Sequence, residues 1–365
     1  MLHYLMNNNI PVLVYDMEEQ WMAVMDNEML PYELKDYVRT TNLDSPDGIK
    51  KAMKDMYELK YFFSGRILSA GRSNAKAILG SCALPQARNT KNTLMIIEAC
   101  QGLSLNDNFW IRKEDENIRY EDIDIRSNPL SKYAYDIAIL GKYISATVRE
   151  LRPELVTDGM YPKVWKREDG ILELWKTDVT RSFVNTRAEI KASRILDHSN
   201  VNHVKYEERK QEGILFAVSE CVSNERLSHI SAQSVRDWCR HTETDFLRYV
   251  EERFPEDFHR MIFTDYILAN TDRHFGNWWF QADADANRII GLGALMDHNQ
   301  ALVADMFETD IEDLIYEPTG LTFNETIRRY ARYAEAISMD ENVLPEACKR
   351  RYDHIKSLDG MQAGD

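Results

Sequence analysis

The stretch that most constrains this chain is Thr264–Phe280, TDYILANTDRHFGNWWF, together with the apolar run IIGLGALM and the acid Asp297 that follows it. Asp272 and Asn277 stand five positions apart, and Asp297 comes twenty positions after Asn277. An apolar helix end, a polar loop and a carboxylate behind an apolar strand set three oxygen-bearing side chains at fixed intervals.

Phosphoryl transfer to a hydroxyl needs this inventory. One carboxylate orients or deprotonates the nucleophile, while an amide oxygen and a second carboxylate hold the magnesium ions that bridge the nucleotide phosphates. The kinase catalytic loop has the same Asp-to-Asn interval, with a metal-binding Asp beyond a hairpin. The order here is D-R-H, not H-R-D, so this is no ordinary eukaryotic-type loop. A bland alternative is a helix end followed by a polar turn, with Asp272 or Asn277 capping the next element. The acid at the end of the apolar run weighs against it.

NTDRHFGNWWF followed by ALMDHNQAL resembles the HipA-like kinases and, more distantly, the D-R-H-x-x-N loop of phosphatidylinositol 3- and 4-kinases. LSLNDNFWIRKEDE, TDGMYPKVWKREDGILELWKT and the acidic helix start at Glu189 extend the resemblance through most of the chain; the first hundred residues or so match less specifically. The resemblance implies an α+β, bilobal protein-kinase-like fold, with an antiparallel nucleotide lobe, a helical catalytic lobe and an N-terminal α+β extension. The expected division is 1–150, 151–224 and 225–365. It implies ATP and Mg2+ as cofactors and a Ser or Thr hydroxyl of a protein, this chain included, as acceptor. It implies Asp272, Asn277 and Asp297 as catalytic residues, the last two holding metal, and autophosphorylation of the loop at Thr157. A small helix-turn-helix, antitoxin-like partner is implied as well.

The charge balance, Lys+Arg 45 against Asp+Glu 60 for a net −15, argues against a surface that coats nucleic acid. No apolar run approaches the roughly 20 residues of a membrane helix. The N-terminus lacks a basic n-region and a cleavage site. Five scattered cysteines without C-x-x-C spacing suggest neither zinc nor disulfides. The expectation is a cytoplasmic protein.

Along the chain, residues 10–24 read as two strands around Asp16–Gln20, Leu30–Val38 as a short helix and Asn42–Gly48 as a linker. Residues 50–69, 73–80 and Asn92–Ala99 read as helices of a regulatory or lid-like region without chemistry of its own. Trp110 is either a ligand-stacking residue or, as buried tryptophans usually are, a core anchor. An amphipathic helix is expected over Tyr133–Arg149, closed by Pro153. VTDGMYPKVWKREDGILELWK reads as three strands, with Gly159 in the first turn and a tight turn at Glu168–Gly170.

Lys176, at the end of the third strand, is either the lysine that contacts the α- and β-phosphates or a solvated strand end. Thr186 is the expected N-cap of a helix over 186–198, and Glu189 either closes a capping box with it or faces Lys176 as an ion pair. A hairpin around Gly213 leads into a hinge at Ser219–Asn224, where Glu220 and Val222 are candidate backbone contacts for an adenine edge. VRDWCRHTETDFLRYVEERF reads as one packed stripe carrying Val235, Trp238, Phe246, Leu247 and Val250. His274 has two readings: it supports the loop by bonding Asp297 or a backbone carbonyl, or it binds a metal with Asp272, Asp297 and His298 in a hydrolase. Arg273 pairs with a phosphorylated residue or a neighbouring acid. Arg328, Arg329 and Arg332 form a basic helix face, read as solvated rather than as a substrate site. MQAGD is expected to fray. Other functional readings are a phosphoinositide or small-molecule kinase, which should show a membrane-facing surface, and an ATP-binding pseudokinase whose output is a protein complex.

Overall fold

Alternating apolar residues build the first sheet. In the computed structural model, which describes residues 1–86 and 89–362, β1 (His3–Asn7), β2 (Ile10–Asp16) and β3 (Trp21–Val24) form an antiparallel meander. β4 (Phe109–Lys113) pairs with β1, for the order β3-β2-β1-β4. The strands expected within 10–24 are present. The helix expected over Leu30–Val38 is not: successive turns form, with Leu34 and Lys35 N–H bonding to Pro31 O and Tyr37 and Val38 N–H to Leu34 O, but Asp36 takes a φ of 62° and interrupts the helical path. Its carboxylate instead accepts from Asn27 and from the Trp238 indole.

Between β3 and β4 lie α1 (Pro46–Ser64), α2 (Ala75–Ser81) and α3 (Thr90–Ala99). Ser45 caps α1 by accepting from Gly48 N, with Pro46 in the first turn, where its missing N–H costs nothing. The helix expected over Tyr133–Arg149 is broken into α4 (Ala134–Ala138) and α5 (Val148–Val156). Gly141, at a φ of 67°, turns the chain between them, and a capping box of Thr147 and Glu150 restarts it. Pro153 lies inside α5 rather than closing the preceding helix.

The second sheet is β5 (Lys163–Glu168), β6 (Ile171–Lys176), β7 (Glu207–Gln211) and β8 (Ile214–Glu220), in the order β5-β6-β8-β7. The strand expected ahead of Gly159 is absent, because α5 runs to Val156. α6 (Val184–Leu196) starts two residues before Thr186, so Thr186 is not its N-cap. Asp178 supplies the cap from outside, accepting from the N–H groups of Asn185 and Thr186.

The remainder is β9 (Leu227–Ser231), α7 (Ala232–His241), α8 (Phe246–Arg253), α9 (Pro255–Ile267), β10 (Trp279–Asp283), β11 (Arg288–Leu292), α10 (Val303–Met306), β12 (Ile315–Tyr316), β13 (Leu321–Thr322), α11 (Phe323–Tyr330) and α12 (Glu346–Gln362). The stripe expected as one helix is two, α7 and α8, parted where Glu243 takes a φ of 55°. α12 carries into the tail expected to fray, and the last three residues lie outside those described.

One hydrophobic core joins the first sheet to the second: Leu5, Leu13, Met22 and Trp110 belong with Trp165, Leu172, Trp175 and Phe216. Another gathers Val235, Val250, Phe258, Trp278, Tyr330 and Ile355. A small cluster of Ile190, Val204, Tyr206 and Ala217, with Val222, Ala294 and Met296 against it, forms where α6 and β8 meet the run ahead of Asp297. No helix among the described residues is long and apolar enough to cross a membrane.

Trp110 is fully buried, and its indole N–H donates to Asn8 O at 2.6 Å. It is a core anchor. Trp110→Ala should therefore lower unfolding free energy by about 3–5 kcal/mol in urea titrations.

Candidate active site

The end of β6 carries Lys176 into the protein, and α6 brings Glu189 towards it. Lys176 Nζ donates to Glu189 Oε1 at 2.9 Å and to Asp297 Oδ1 at 2.5 Å. Of the two readings of Glu189, the ion pair is the one the structure contains. Burial would lower the lysine, but Asp297 and Glu189 hold it well above its ordinary value. Glu189 is itself pushed up by burial, against the pull of Lys176. Burial also acts on Asp297, yet Lys176, then Lys163 and Arg273, hold it down to about 2. A lysine faced by two carboxylates stays charged.

Asp272, Asn277 and Asp297 are brought together by Arg273. Its guanidinium is fully buried and forks onto Asp265, Nε to Oδ2 and Nη2 to Oδ1, both at 2.9 Å. Nη1 donates to Asn277 O at 2.5 Å and to Met296 O at 2.7 Å, so one nitrogen ties the loop to the residue before Asp297. Of its two readings, Arg273 pairs with a neighbouring acid. Asp265 is completed by Tyr316 Oη at 2.8 Å and Asn270 Nδ2 at 2.9 Å.

Asn277 Nδ2 donates to Asp272 O at 2.8 Å, which leaves its Oδ1 without a partner among the described residues. Asn299 Nδ2 donates to Asp297 Oδ1 at 2.8 Å, and Asn299 Oδ1 is buried without a hydrogen bond. This all-oxygen set suits a hard cation such as Mg2+, which needs only one or two protein ligands alongside nucleotide phosphates. Burial raises Asp272 above its ordinary value, with His274 opposing the rise and Asp297 adding to it.

His274 does not reach Asp297. It is exposed, and its Nδ1 accepts from Gly276 N at 3.0 Å within the loop. His298 is fully buried with Nε2 3.3 Å from Arg273 Nη2; burial, then that guanidinium, pushes its imidazole well below the ordinary value. Among the described residues no three His, Cys, Asp or Glu side chains form a metal-holding group, so the four-ligand hydrolase arrangement is not formed.

Gly159 takes a φ of 93° between α5 and β5, a conformation that suits only glycine without strain. Thr157, in the same loop, donates its hydroxyl to Pro153 O and accepts from Trp165 Nε1 at 2.8 Å. At the hinge, Glu220 pairs in register with Glu173 and its side chain is exposed. Cys221 N bonds to Leu172 O, whereas Val222 N–H and C=O have no hydrogen bond among the described residues. Arg329 of the basic helix face pairs with Glu251 at 3.6 Å, and Arg328 lines a cavity with Asp305, Glu308 and Glu312 that contains none of the loop residues.

Lys163 is the residue the sequence reading missed. The tight turn at Asp169–Gly170 sets a register in which Lys163 faces Lys176, so hairpin counting would have found it. Its Nζ donates to Asp158 O at 2.6 Å, and a Cβ on Gly159 would overlap it. No carboxylate contacts it in the described residues. Tyr206, buried beside Ile190 and Ala217, was missed as well; burial, then the Glu189 charge, pushes its hydroxyl well above the ordinary value.

A strand lysine paired to a helix glutamate, beside a loop carrying Asp, Asn and a further Asp, is the framework of a kinase-like domain. A family model and one solved structure agree with this fold. Residues 167–348 match the family model described as phosphatidylinositol 3- and 4-kinase. Among solved structures, HipA of Shewanella oneidensis MR-1, from a toxin–antitoxin complex with HipB and its operator DNA, aligns with a TM-score of 0.52 at 14% identity, covering 98% of this chain and 96% of that one. The Helicobacter pylori proinflammatory kinase CtkA aligns with a TM-score of 0.44 at 12% identity, covering 56% of this chain and 92% of that one. No curated protein matches the sequence. The chain has a kinase-like fold, similar to that of HipA.

Two measurements test this site. Asp265→Ala leaves a buried guanidinium unpaired and should cost about 3–5 kcal/mol of unfolding free energy in urea titration. Burial, then the charges of Lys176 and Arg72, pushes the Lys163 amine from 10.5 down to about 7. Between these values the unfolded chain binds a proton that the folded chain lacks, so stability of the ligand-free protein should rise with pH across that window. Lys163→Met should remove that rise and, below pH 7, stabilise the fold by about 1–3 kcal/mol. Unfolding curves from pH 6 to 9 check both.

Proposed function

We propose that this protein is an ATP-dependent kinase that transfers the γ-phosphoryl group of Mg-ATP to a Ser or Thr hydroxyl of a protein, itself included. The observation that carries this reading is the joint hold of Lys176 by Glu189 and Asp297, which joins the strand, the helix and the acid behind the loop in one charged cluster. In this reading Lys176 contacts the α- and β-phosphates, and Glu189 keeps it aimed. Lys163 adds a second cation at the γ end, below Gly159. Val222 offers its backbone to the adenine edge, and Glu220 precedes it in the same hinge.

Asn277 Oδ1 and the Asp297 carboxylate would hold Mg2+, with Asn299 beside them; the metal supplies charge neutralisation on the transferred group. Asp272 orients the acceptor hydroxyl. As the hydroxyl oxygen bonds to the γ-phosphorus, the bond from phosphorus to the bridging oxygen breaks, ADP departs, and the hydroxyl proton passes to Asp272. Its raised pKa keeps the carboxylate basic enough to receive that proton. His274 supports the loop through Gly276. Thr157 remains the candidate autophosphorylation site, and modification requires the loop to release its hydroxyl from Pro153 and Trp165.

The phosphatidylinositol kinase match favours a second reading, a lipid kinase using the same residues. A small helix-turn-helix partner is proposed by analogy with the HipA complex, with DNA contacts left to that partner because this chain is acidic. The proposed division is an N-terminal extension (1–150), a nucleotide lobe (151–224) and a helical catalytic lobe (225–365), in a cytoplasmic protein.

Calorimetric titration of Mg-ATP should show binding to wild type that is lost in Asp297→Ala. Asp272→Asn should retain binding but lose roughly 10²- to 10⁴-fold in kcat. Mass spectrometry after incubation should find phosphate on Thr157 or on an added protein; transfer only to phosphoinositide vesicles would favour the lipid reading. No binding to folded wild type would overturn the nucleotide assignment.

A further inference from the structure

The loop between α5 and β5 uses its backbone groups unequally. Four of its carbonyls are engaged, as is that of Lys163, the first residue of β5. Thr157 O and Lys163 O accept from the Arg72 guanidinium at 3.0 and 2.6 Å. Met160 O accepts from Ser73 N at 3.0 Å and from Ser73 Oγ at 3.3 Å. Asp158 O accepts from Lys163 Nζ, and Pro162 O from Thr177 N. The N–H groups of Asp158, Gly159, Met160 and Tyr161, by contrast, donate to nothing among the described residues. Consecutive free amides in a glycine-containing turn are the makings of an anion-binding nest.

Arg72 belongs to the N-terminal region, some eighty residues away in sequence, yet its side chain is fully buried beneath this loop. Nη2 pairs with Glu154 Oε2 at 2.6 Å, and the other Glu154 oxygen accepts from Trp165 N at 3.1 Å. One planar guanidinium thus spans both ends of the loop while neutralised from α5. A lysine, with a single compact ammonium, cannot bridge both ends. Burying such an ion carries a large desolvation cost, which makes it a poor choice for stability alone.

We propose that Arg72 is a positioning residue for the nucleotide loop: with Ser73 it ties back the loop carbonyls, so that the amides of Asp158–Tyr161 are free to receive phosphate. The N-terminal region thereby sets nucleotide affinity without touching nucleotide. The identity of the anion rests on the kinase reading; the tie between the two segments does not.

The test compares Mg-ATP with adenosine, which has no phosphate, by titration calorimetry on the full chain, and follows amide exchange at Ser73 and Trp165. Arg72→Lys should weaken Mg-ATP binding roughly 10- to 100-fold, leave adenosine affinity at the wild-type value and speed exchange at both amides. Ser73→Ala, a milder change for the case that Arg72→Lys does not fold, should weaken Mg-ATP binding about two- to tenfold and spare adenosine. Wild-type Mg-ATP affinity in both variants would overturn the proposal, as would equal losses for ATP and adenosine, the mark of a general structural role. Faster exchange in a variant whose wild type binds neither compound would uphold the tie and overturn the kinase reading.

Discussion

The candidate site depends on the buried pair of Arg273 and Asp265. The backbone of the Asp272–Asn277 loop and the chain before Asp297 come from different parts of the sequence, and each presents a carbonyl to the same guanidinium nitrogen. With Asp265 held in turn by Tyr316 and Asn270, the arginine has its charge matched and its geometry fixed. Were the arginine absent, Asn277 and Asp297 would keep their positions in sequence but lose what sets their separation in space. A buried ion pair is weak evidence for net stability; here its value lies in register.

The neighbouring charges are unequally matched. Lys176 has two carboxylates, whereas Lys163, directly opposite in the hairpin, has only a carbonyl. A buried amine with a neutral partner is costly to keep charged and becomes worthwhile only where a polyanion completes it. The loop with unused amides lies alongside. Cations, free N–H groups and carboxylates are grouped where strand, loop and helix meet, which is the charge pattern on which the proposed Mg-ATP reading rests.

The parts of this site that chemistry ties to spacing were legible in the sequence. Asp272, Asn277 and Asp297 stand out because the proposed chemistry asks for those side chains on one loop and one strand end, and Arg273 ties the loop to the chain before Asp297. Lys176 and Glu189 were found because a strand followed by a helix presents them to each other. What failed was local reading of features fixed from a distance. Thr186 resembled an N-cap, but Asp178 takes that role from outside the helix. Leu30–Val38 had a helical pattern, but Asp36 is needed by Trp238, some two hundred residues on, and bends away. The break at Gly141 and the Thr147–Glu150 box were readable, and apolar periodicity outweighed them. Arg72 gave no signal, since its partners are carbonyls, which every residue possesses, and a glutamate some eighty residues away in sequence.

The core shared by the two sheets has a thermodynamic consequence. Trp110 and Leu5 pack in the same cluster as Trp175 and Phe216, so the sheet bearing Lys176 cannot open without disturbing the sheet that begins at His3. The two should melt as one cooperative unit. Free energy released by a ligand at the edge of β6 is then distributed over residues that never approach it, and the N-terminal strands gain protection by linkage alone.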